Sequence, residues 1–484
     1  MGEQSDSRLD SIPSLEWLSI SCNVSLLVLR GNLERQQRDR FAHLKAVCSL
    51  ASLLLSERPM PWVRSTMARF SGDILYSLGT ILTSVVAVIG NLIAARFLHP
   101  GEMGIMQTLM LIPIYCAFLH LGVFNGLSRD IAYYMGRGDS GKVQRMVNCS
   151  WTTAKGVAAV GLMISIVVAA CYWANGASSL YLWGMAFVLL TLVIEPFSNH
   201  LEVVYLSSKS FQQLGVRLLW QNLVTLLAGF LPAVAGAAGF VAARSVAVIA
   251  RFWLRLIGVP IKAVEPGSFR ETRELATVGM PLLITGTLYG YLGAADRSVV
   301  AFSMTPEDVG NYTLAGLAVT GIQFLPMCLA TLLYPRVSAC YGRTGSSQAL
   351  RRYFWILLGL SVAVVLPICL LAFLCVGPLT KWFLPAYVKG IPAAQLACLS
   401  SATFIYFGLT SIIAVMRRNT LFIVVICVCL AVVWLLGGFW VRHGYGIVGA
   451  VWARTVASTF LFVFTLGYTY WLTRSGRSML KSPS

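Results

Sequence analysis

From residue 73 onward, apolar runs of about 20 residues follow one another with only short polar breaks, and about that length of helix is needed to cross the roughly 30 Å of hydrocarbon in a bilayer. The spacing predicts twelve spans, near 74–97, 105–127, 150–173, 180–206, 214–236, 238–258, 276–303, 309–334, 353–375, 391–416, 419–440 and 447–472. Composition points the same way: 57% of the 484 residues are apolar and 12% are charged, well outside the range of soluble domains. The expected fold class is an all-α polytopic membrane protein with about 12 transmembrane helices.

Two stretches near the ends of the two halves of this region read almost alike. They are Gly239-Phe-Val-Ala-Ala-Arg244-Ser-Val-Ala247 and Gly449-Ala-Val-Trp-Ala-Arg454-Thr-Val-Ala457, at a constant offset of 210. A second set matches at an offset of 206: Pro100/Pro306, Gly104/Gly310, Gly136/Gly342, Arg137/Arg343 and Arg145/Arg351. The chain therefore reads as an internal duplication. Six spans per repeat is an even number, so both halves should share one orientation about a pseudo-two-fold axis along the membrane normal. This gives two pseudo-symmetric six-helix bundles at 73–260 and 276–473, a linker at 261–275 and a tail at 474–484.

Basic residues set the expected orientation. Arg129, Arg137, Lys142 and Arg145 follow the second span, Lys262, Arg270 and Arg273 lie in the central link, and Arg336, Arg343, Arg351 and Arg352 follow the eighth span. The alternate loops are poor in charge, so both termini should face the cytoplasm. Residues 1–66 carry mixed charge and no run long enough to span, and Met67 stands just before the first span; 1–72 reads as a cytoplasmic extension or a mis-assigned start.

The net charge of +18 sits in short loops between spans and not in a stripe interleaved with aromatics, which argues against nucleic acid as a partner. The twelve cysteines show no CxxC spacing and the five histidines do not cluster with carboxylates, so no metal and no other cofactor is expected. Gly136-Arg-Gly138-Asp-Ser-Gly141-Lys142-Val143 imitates two nucleotide-binding patterns. Val143 replaces the hydroxyl that would hold magnesium, and the stretch joins two membrane helices, so it reads as a loop.

Charge inside the apolar spans marks the candidate site, because an arginine at mid-bilayer costs about 2.5–3.5 kcal/mol on insertion scales. Arg244 and Arg454 each stand five residues after a glycine, about 7–10 Å inside the helix start at 1.5 Å per residue. They either snorkel to the interface or line a central cavity, one from each half, and attract an anion. Asp296 and Arg297 are adjacent in the seventh span, as a local ion pair or as groups with separate partners in substrate binding. Glu195 and His200, with Asn199 and Glu202, fall in the fourth span beside Pro196, where one acid could carry a proton or simply bond a neighbouring helix. Pro113, Pro196, Pro326 and Pro367 interrupt spans as hinges or as static kinks.

Several short motifs resemble the polysaccharide transporter family of the multidrug, oligosaccharidyl-lipid and polysaccharide flippase superfamily. They are Ala94-Ala-Arg-Phe-Leu-His-Pro-Gly-Glu-Met-Gly-Ile105, Leu121-Gly-Val-Phe-Asn125, Ala294-Ala-Asp-Arg297, Met304-Thr-Pro-Glu-Asp-Val-Gly-Asn-Tyr312 and Leu332-Leu-Tyr-Pro-Arg336, and the similarity covers about 73–475. The resemblance implies two six-helix bundles in a V that alternates its opening. It further implies transport of undecaprenyl-pyrophosphate-linked saccharides, such as O-antigen or exopolysaccharide units for cell-surface and lipopolysaccharide assembly, across the bacterial inner membrane, with a polysaccharide polymerase or chain-length machinery and membrane lipids as partners. A multidrug antiporter of the same superfamily is the first rival, and Glu195 keeps it open. An integral-membrane saccharide polymerase is the second; it would need a large extramembrane loop or an acidic metal-and-sugar motif, and this chain has neither. The expected function is a flippase and not an enzyme.

Overall fold

Within hydrocarbon every backbone N–H and C=O must be satisfied inside its own segment, which leaves helices or closed barrels as solutions. The computed structural model describes residues 72–208, 210–344, 346–416 and 419–474, and all regular elements among them are helical. The expectations for residues 1–66 and for most of the tail lie outside the described residues.

The first span is α1 (Gly72–Phe97). The second is broken: α2 (Pro100–Leu109) continues through Leu111–Cys116 and a 3-10 turn, Ala117–His120, into α3 (Val123–Gly136). There follow α4 (Ser140–Ala174), α5 (Ser179–Ser207), α6 (Phe211–Ala228) and α7 (Leu231–Leu256). The second half runs through α8 (Phe269–Ser303), α9 (Pro306–Thr344) and α10 (Arg351–Phe383). Its tenth span is α11 (Ile391–Ser400), a 3-10 stretch and α12 (Tyr406–Val415), followed by α13 (Asn419–Trp440) and α14 (Gly446–Arg474).

Among the described residues, ten stretches are long and apolar enough to cross a membrane. One of them, Thr420–Arg474, contains both α13 and α14. α6 is not among the ten, because Gln212, Gln213, Arg217, Gln221 and Asn222 dilute its apolar character; its amides instead bind α1, with Asn222 donating to the Gly79 carbonyl at 2.9 Å and accepting from Thr83 at 2.9 Å. Counted as helices, the spans number the twelve that the sequence predicts. The second span is longer than the expected 105–127, and it breaks where Leu121 and Gly122 take left-handed conformations with φ of 47° and 81°. The fifth ends at Ala228, short of the expected 236, because Gly229 and Pro232 start a new helix.

The loop at 136–142 is helix-capping geometry. Gly138 has φ 76°, and the Asp139 carboxylate accepts from the Lys142 backbone N–H at 2.9 Å as the N-cap of α4.

The duplication is visible in the backbone. Gly236 (φ 51°, ψ −129°) breaks α7, and Gly446 (φ 55°, ψ −145°) opens α14 at an offset of 210 residues. This conformation is open to glycine and closed to residues with a Cβ. In both halves it sets the helix proper to begin eight residues before an arginine, so Arg244 and Arg454 lie about 12 Å along their helices.

Helices gain little from the hydrophobic effect when they pack in lipid, so the halves must meet through close van der Waals contact at small residues. A Cβ at Gly104 would overlap the Pro306 carbonyl, and a Cβ at Gly310 would overlap the Pro100 carbonyl. The two contacts are reciprocal in the 206-residue register, as a two-fold axis between α2 and α9 demands. The Tyr387 hydroxyl donates to the Leu98 carbonyl at 3.1 Å beside them, and a buried cluster that includes Met103, Met106, Phe240, Leu314 and Leu384 seals this end. At the linker end the contact is one-sided: Gly122 and Gly126 press on Leu275 and Gly279 of α8, whereas Gly72 and Gly79 of α1 press on α6. There the linker is bonded to α4, with Gln144 donating to the Lys262 carbonyl and Asn148 accepting from Val264 N–H, and Arg145 pairs with Glu271 at 2.9 Å.

The Gly310 contact is backbone on backbone, so no side chain can rotate away from an added methyl. Gly310→Val is expected to destabilise the purified protein by about 3 kcal/mol, read as a lowered Tm in detergent, whereas Gly316→Val on the same helix, where an added Cβ meets open space, should change it little.

Candidate functional site

α7 carries Arg244, Arg251 and Arg255, spaced seven and four residues apart, which places all three on one face of the helix. That face looks toward α5, whose Glu195 and Glu202 are also seven apart. Arg251 is ion-paired with Glu195, and Arg255 with Glu202 at 2.8 Å while also donating to the Ser198 carbonyl at 3.2 Å. Arg255 is nearly enclosed at 4% side-chain exposure, so its pair is part of the packing.

Arg244 has no carboxylate in that row. Its Nη2 donates to Asn91 Oδ1 at 2.5 Å, and its guanidinium lies 5.0 Å from the centre of the Phe240 ring. Asn91 is held in place by its own amide, which donates to the Ala87 carbonyl at 2.8 Å. A neutral partner satisfies a donor without cancelling the charge.

Asp296 and Arg297, adjacent in α8, point to different partners. Asp296 is buried and takes three bonds: Arg454 Nη1 at 2.6 Å, the Tyr312 hydroxyl at 2.6 Å and the Arg297 backbone N–H at 2.8 Å. Arg297 Nη1 donates to Gln107 Oε1 at 2.7 Å, and its Nε is buried with no partner among the described residues. The repeat register explains the contrast. Offset by 206 residues, Asp296-Arg297 corresponds to Gly90-Asn91, so the same junction holds Arg454 with a carboxylate in one half and Arg244 with an amide in the other.

Arg244, Arg251, Arg297 and Glu195 line one cavity of about 560 Å³, within the range of small-molecule sites. Its walls are mostly apolar, with Asn199, Gln221 and Asn222 adding polar points. A second cavity of about 200 Å³ is lined by Asn91, Gln107, Asp296, Arg297, Tyr312 and Arg454. Arg297 belongs to both. A third, about 360 Å³, shares His120, Phe124 and Asn199 with the first and reaches Ser128 and Glu202.

Of the residues singled out from sequence, Arg244, Arg297 and Glu195 are thus brought to one cavity, and Asp296 and Arg454 to its neighbour. His200 is not brought to either. It is 1% exposed, shares a hydrogen bond of 2.9 Å with Ser150 and packs edge-on against Trp151. Five residues apart on a helix, Glu195 and His200 point about 140° apart. Sequence reasoning missed Asn91, Gln107 and the role of Arg251. Asn91 was detectable by carrying Arg297 back through the 206-residue offset, and Arg251 by the seven-residue spacing it shares with Glu195 and Glu202. Gln107 had no such signal.

What this arrangement offers chemically is positive charge in an apolar-walled space. Asp296 cancels one of the three arginines Arg244, Arg297 and Arg454, which leaves two uncancelled charges against amide partners. An anion with two charges fits such a site.

Removing one partner of a buried pair is far more disruptive than removing both. Arg454→Ala and Asp296→Ala are each expected to cost about 3–5 kcal/mol and lower abundance. Arg454→Ala combined with Asp296→Ala should be clearly less damaging than the sum of the two, measured as a double-mutant cycle on Tm.

The fold is that of known membrane transporters. A multidrug resistance MATE family transporter of the MOP superfamily, in its inward-facing conformation, superposes with a TM-score of 0.65 at 12% identity over 82% of this chain and 100% of that one. The lipid II flippase MurJ, inward closed, gives 0.62 at 12% identity over 82% and 87%. A MOP superfamily transporter from Pyrococcus furiosus, described as having a binding pocket of reversed polarity that suggests a different function, gives 0.58 at 13% identity over 84% and 96%. No curated protein matches in sequence. Residues 93–387, more than half of the chain, match the family described as polysaccharide biosynthesis protein, and the chain belongs to that family.

Proposed function

We propose that this protein moves polyprenyl-pyrophosphate-linked saccharide units from the cytoplasmic to the outer face of the bacterial inner membrane by alternating access, as a transporter and not an enzyme. The observation that carries the reading is that Arg244 and Arg297 face one cavity with amide partners only, a doubly positive site that suits a pyrophosphate diester with its two negative charges. Apolar walls suit the first part of the lipid, and Gln221, Asn222 and Asn199 suit the hydroxyls of a sugar. An anion leaving an inside-negative cell gains roughly 2.3 kcal/mol per charge per 100 mV, so outward movement is downhill without ATP. The membership in a polysaccharide biosynthesis family supports the saccharide, and the shared fold with a lipid II flippase supports the lipid.

The anion site in this reading is Arg244 with Arg297. Arg454 serves it indirectly, by tying up Asp296. Organic-cation antiport would call for net negative charge in the cavity; Glu195 and Glu202, which line the cavities, each face an arginine and so add none.

In proteoliposomes with a pyrophosphate-linked polyprenyl saccharide, Arg244→Ala and Arg297→Ala are expected to reduce flipping tenfold or more, about the worth of one charge-assisted bond. Arg244→Lys should recover part of the rate, because it keeps the charge and loses the bidentate fork. Wild-type flipping by both alanine variants at equal protein level would overturn the assignment. The orientation has its own test. A reporter fused after Gly138 should read cytoplasmic and one fused at Asn175 external, and the reverse pattern would turn the direction of transport around.

A further inference from the structure

The pair Arg251–Glu195 has no part in the anion site described above, yet it opens on the same cavity. Four observations bear on what it does. Arg251 follows Arg244 by seven residues on α7, two turns and about 10 Å further toward the linker end, on the same face. The 360 Å³ cavity shares His120, Phe124 and Asn199 with the larger one, and Asn199 is one turn from Glu195, so the pair lies on the side of the larger cavity that adjoins the smaller. Arg251 and Glu195 keep 32% and 28% of their side-chain surface accessible, against 16% and 2% for Arg454 and Asp296. A pair of that accessibility is easier to open than the enclosed Asp296–Arg454 pair.

The repeat adds the fourth observation. At the offset of 210, the position of Arg251 in α7 is occupied in α14 by Leu461, which is buried in the second half's core. The equivalent helix therefore packs without an arginine there.

We propose that Arg251 is a second station for the pyrophosphate, on the linker side of the Arg244–Arg297 site, and that Glu195 is its displaceable counter-ion. The carboxylate holds Arg251 while the station is empty and gives way to an arriving pyrophosphate, whose oxygens can engage the guanidinium in a bidentate pair. When the pyrophosphate moves on to Arg244 and Arg297, Glu195 returns to Arg251. The return cancels the charge left behind, which both weakens the hold on the anion and removes the attraction for its retreat. Glu195 thus acts as an internal competitor that keeps the cavity from trapping its cargo.

This inference rests on the pyrophosphate reading above, and the test separates the two. Full-length protein in nanodiscs is titrated with inorganic pyrophosphate by calorimetry, as wild type, Glu195→Gln, Glu195→Gln with Arg251→Ala, Arg244→Ala and Arg297→Ala. Glutamine keeps an acceptor for Arg251 and so preserves the packing; each variant is checked for a monodisperse gel-filtration profile before titration. Glu195→Gln is expected to bind pyrophosphate about tenfold more tightly or better, as removal of one competing charge implies, and to flip the lipid-linked substrate more slowly. Adding Arg251→Ala should return the affinity to that of wild type. Wild-type affinity in Glu195→Gln would overturn the proposal. So would tight binding that survives Arg251→Ala, since the carboxylate would then act on the whole cavity and not on a station. If Arg244→Ala and Arg297→Ala bind pyrophosphate as wild type does, the main site is wrong whatever Glu195 does. If they lose binding while Glu195→Gln is unchanged, only the second station falls.

Discussion

An arginine among membrane helices must have its donors satisfied, and the choice of partner decides whether its charge survives. That constraint organises the interior of this protein. A carboxylate partner turns the arginine into a neutral strut, as with Arg454 on Asp296 and Arg255 on Glu202. An amide partner satisfies the geometry and leaves the charge, as with Arg244 on Asn91 and Arg297 on Gln107. The second solution leaves charge facing the 560 Å³ cavity, where the Arg251–Glu195 pair also lies. Because a bilayer interior cannot screen charge as water does, an uncancelled arginine there acts over a longer range than the same residue in a surface loop.

Duplication supplies the frame and divergence supplies the function. The backbone break at Gly236 recurs at Gly446, and the crossing of Gly104 over Pro306 recurs as Gly310 over Pro100. These positions are fixed by sterics: a Cβ has no room, or the φ and ψ exclude it, so both copies keep glycine. Side chains elsewhere in the two copies were free to differ. Asn91 and Arg297 occupy matching places, as do Arg251 and Leu461, and the two halves ended with unlike interiors. The first has a row of charges along α7. The second is built around the buried pair of Asp296 and Arg454 and an apolar core running through α8, α10, α13 and α14.

How much of this could be read from the sequence follows from the same division. The helix count, the duplication and the arginines were legible because each is a one-dimensional signal: run length, constant offset, or charge out of place. The symmetric pairing of Arg244 with Arg454 as two equivalent cations was the natural reading of that repeat, and the structure gives the two different partners. The difference lies in Asp296 and Asn91, which meet their arginines from helices 158 and 153 residues away in sequence. His200 was singled out for its position beside Glu195, but neighbours along a helix do not share a face, and its imidazole ends against Ser150. The break in the second span was hidden for another reason. Leu121 is a non-glycine residue at positive φ, and no composition rule points to it.

The one-sided contact at the linker end bears on how such a charged interior is reached. At the other end the two glycine crossings are symmetric and sealed by apolar residues around Met103 and Leu384. Toward the linker, α8 is tied to the first half by Gly122, Gly126 and the Arg145–Glu271 pair, whereas α1 leans on its own half through Gly72 and Gly79. Rocking the halves apart at the linker end would break contacts on the α8 side and few on the α1 side. Opening at the other end would have to break two backbone crossings and the Tyr387 to Leu98 hydrogen bond together. The charged cavity lies between these ends. Backbone crossings thus join the halves at both ends, and the asymmetry lies in α1, which toward the linker packs on its own half.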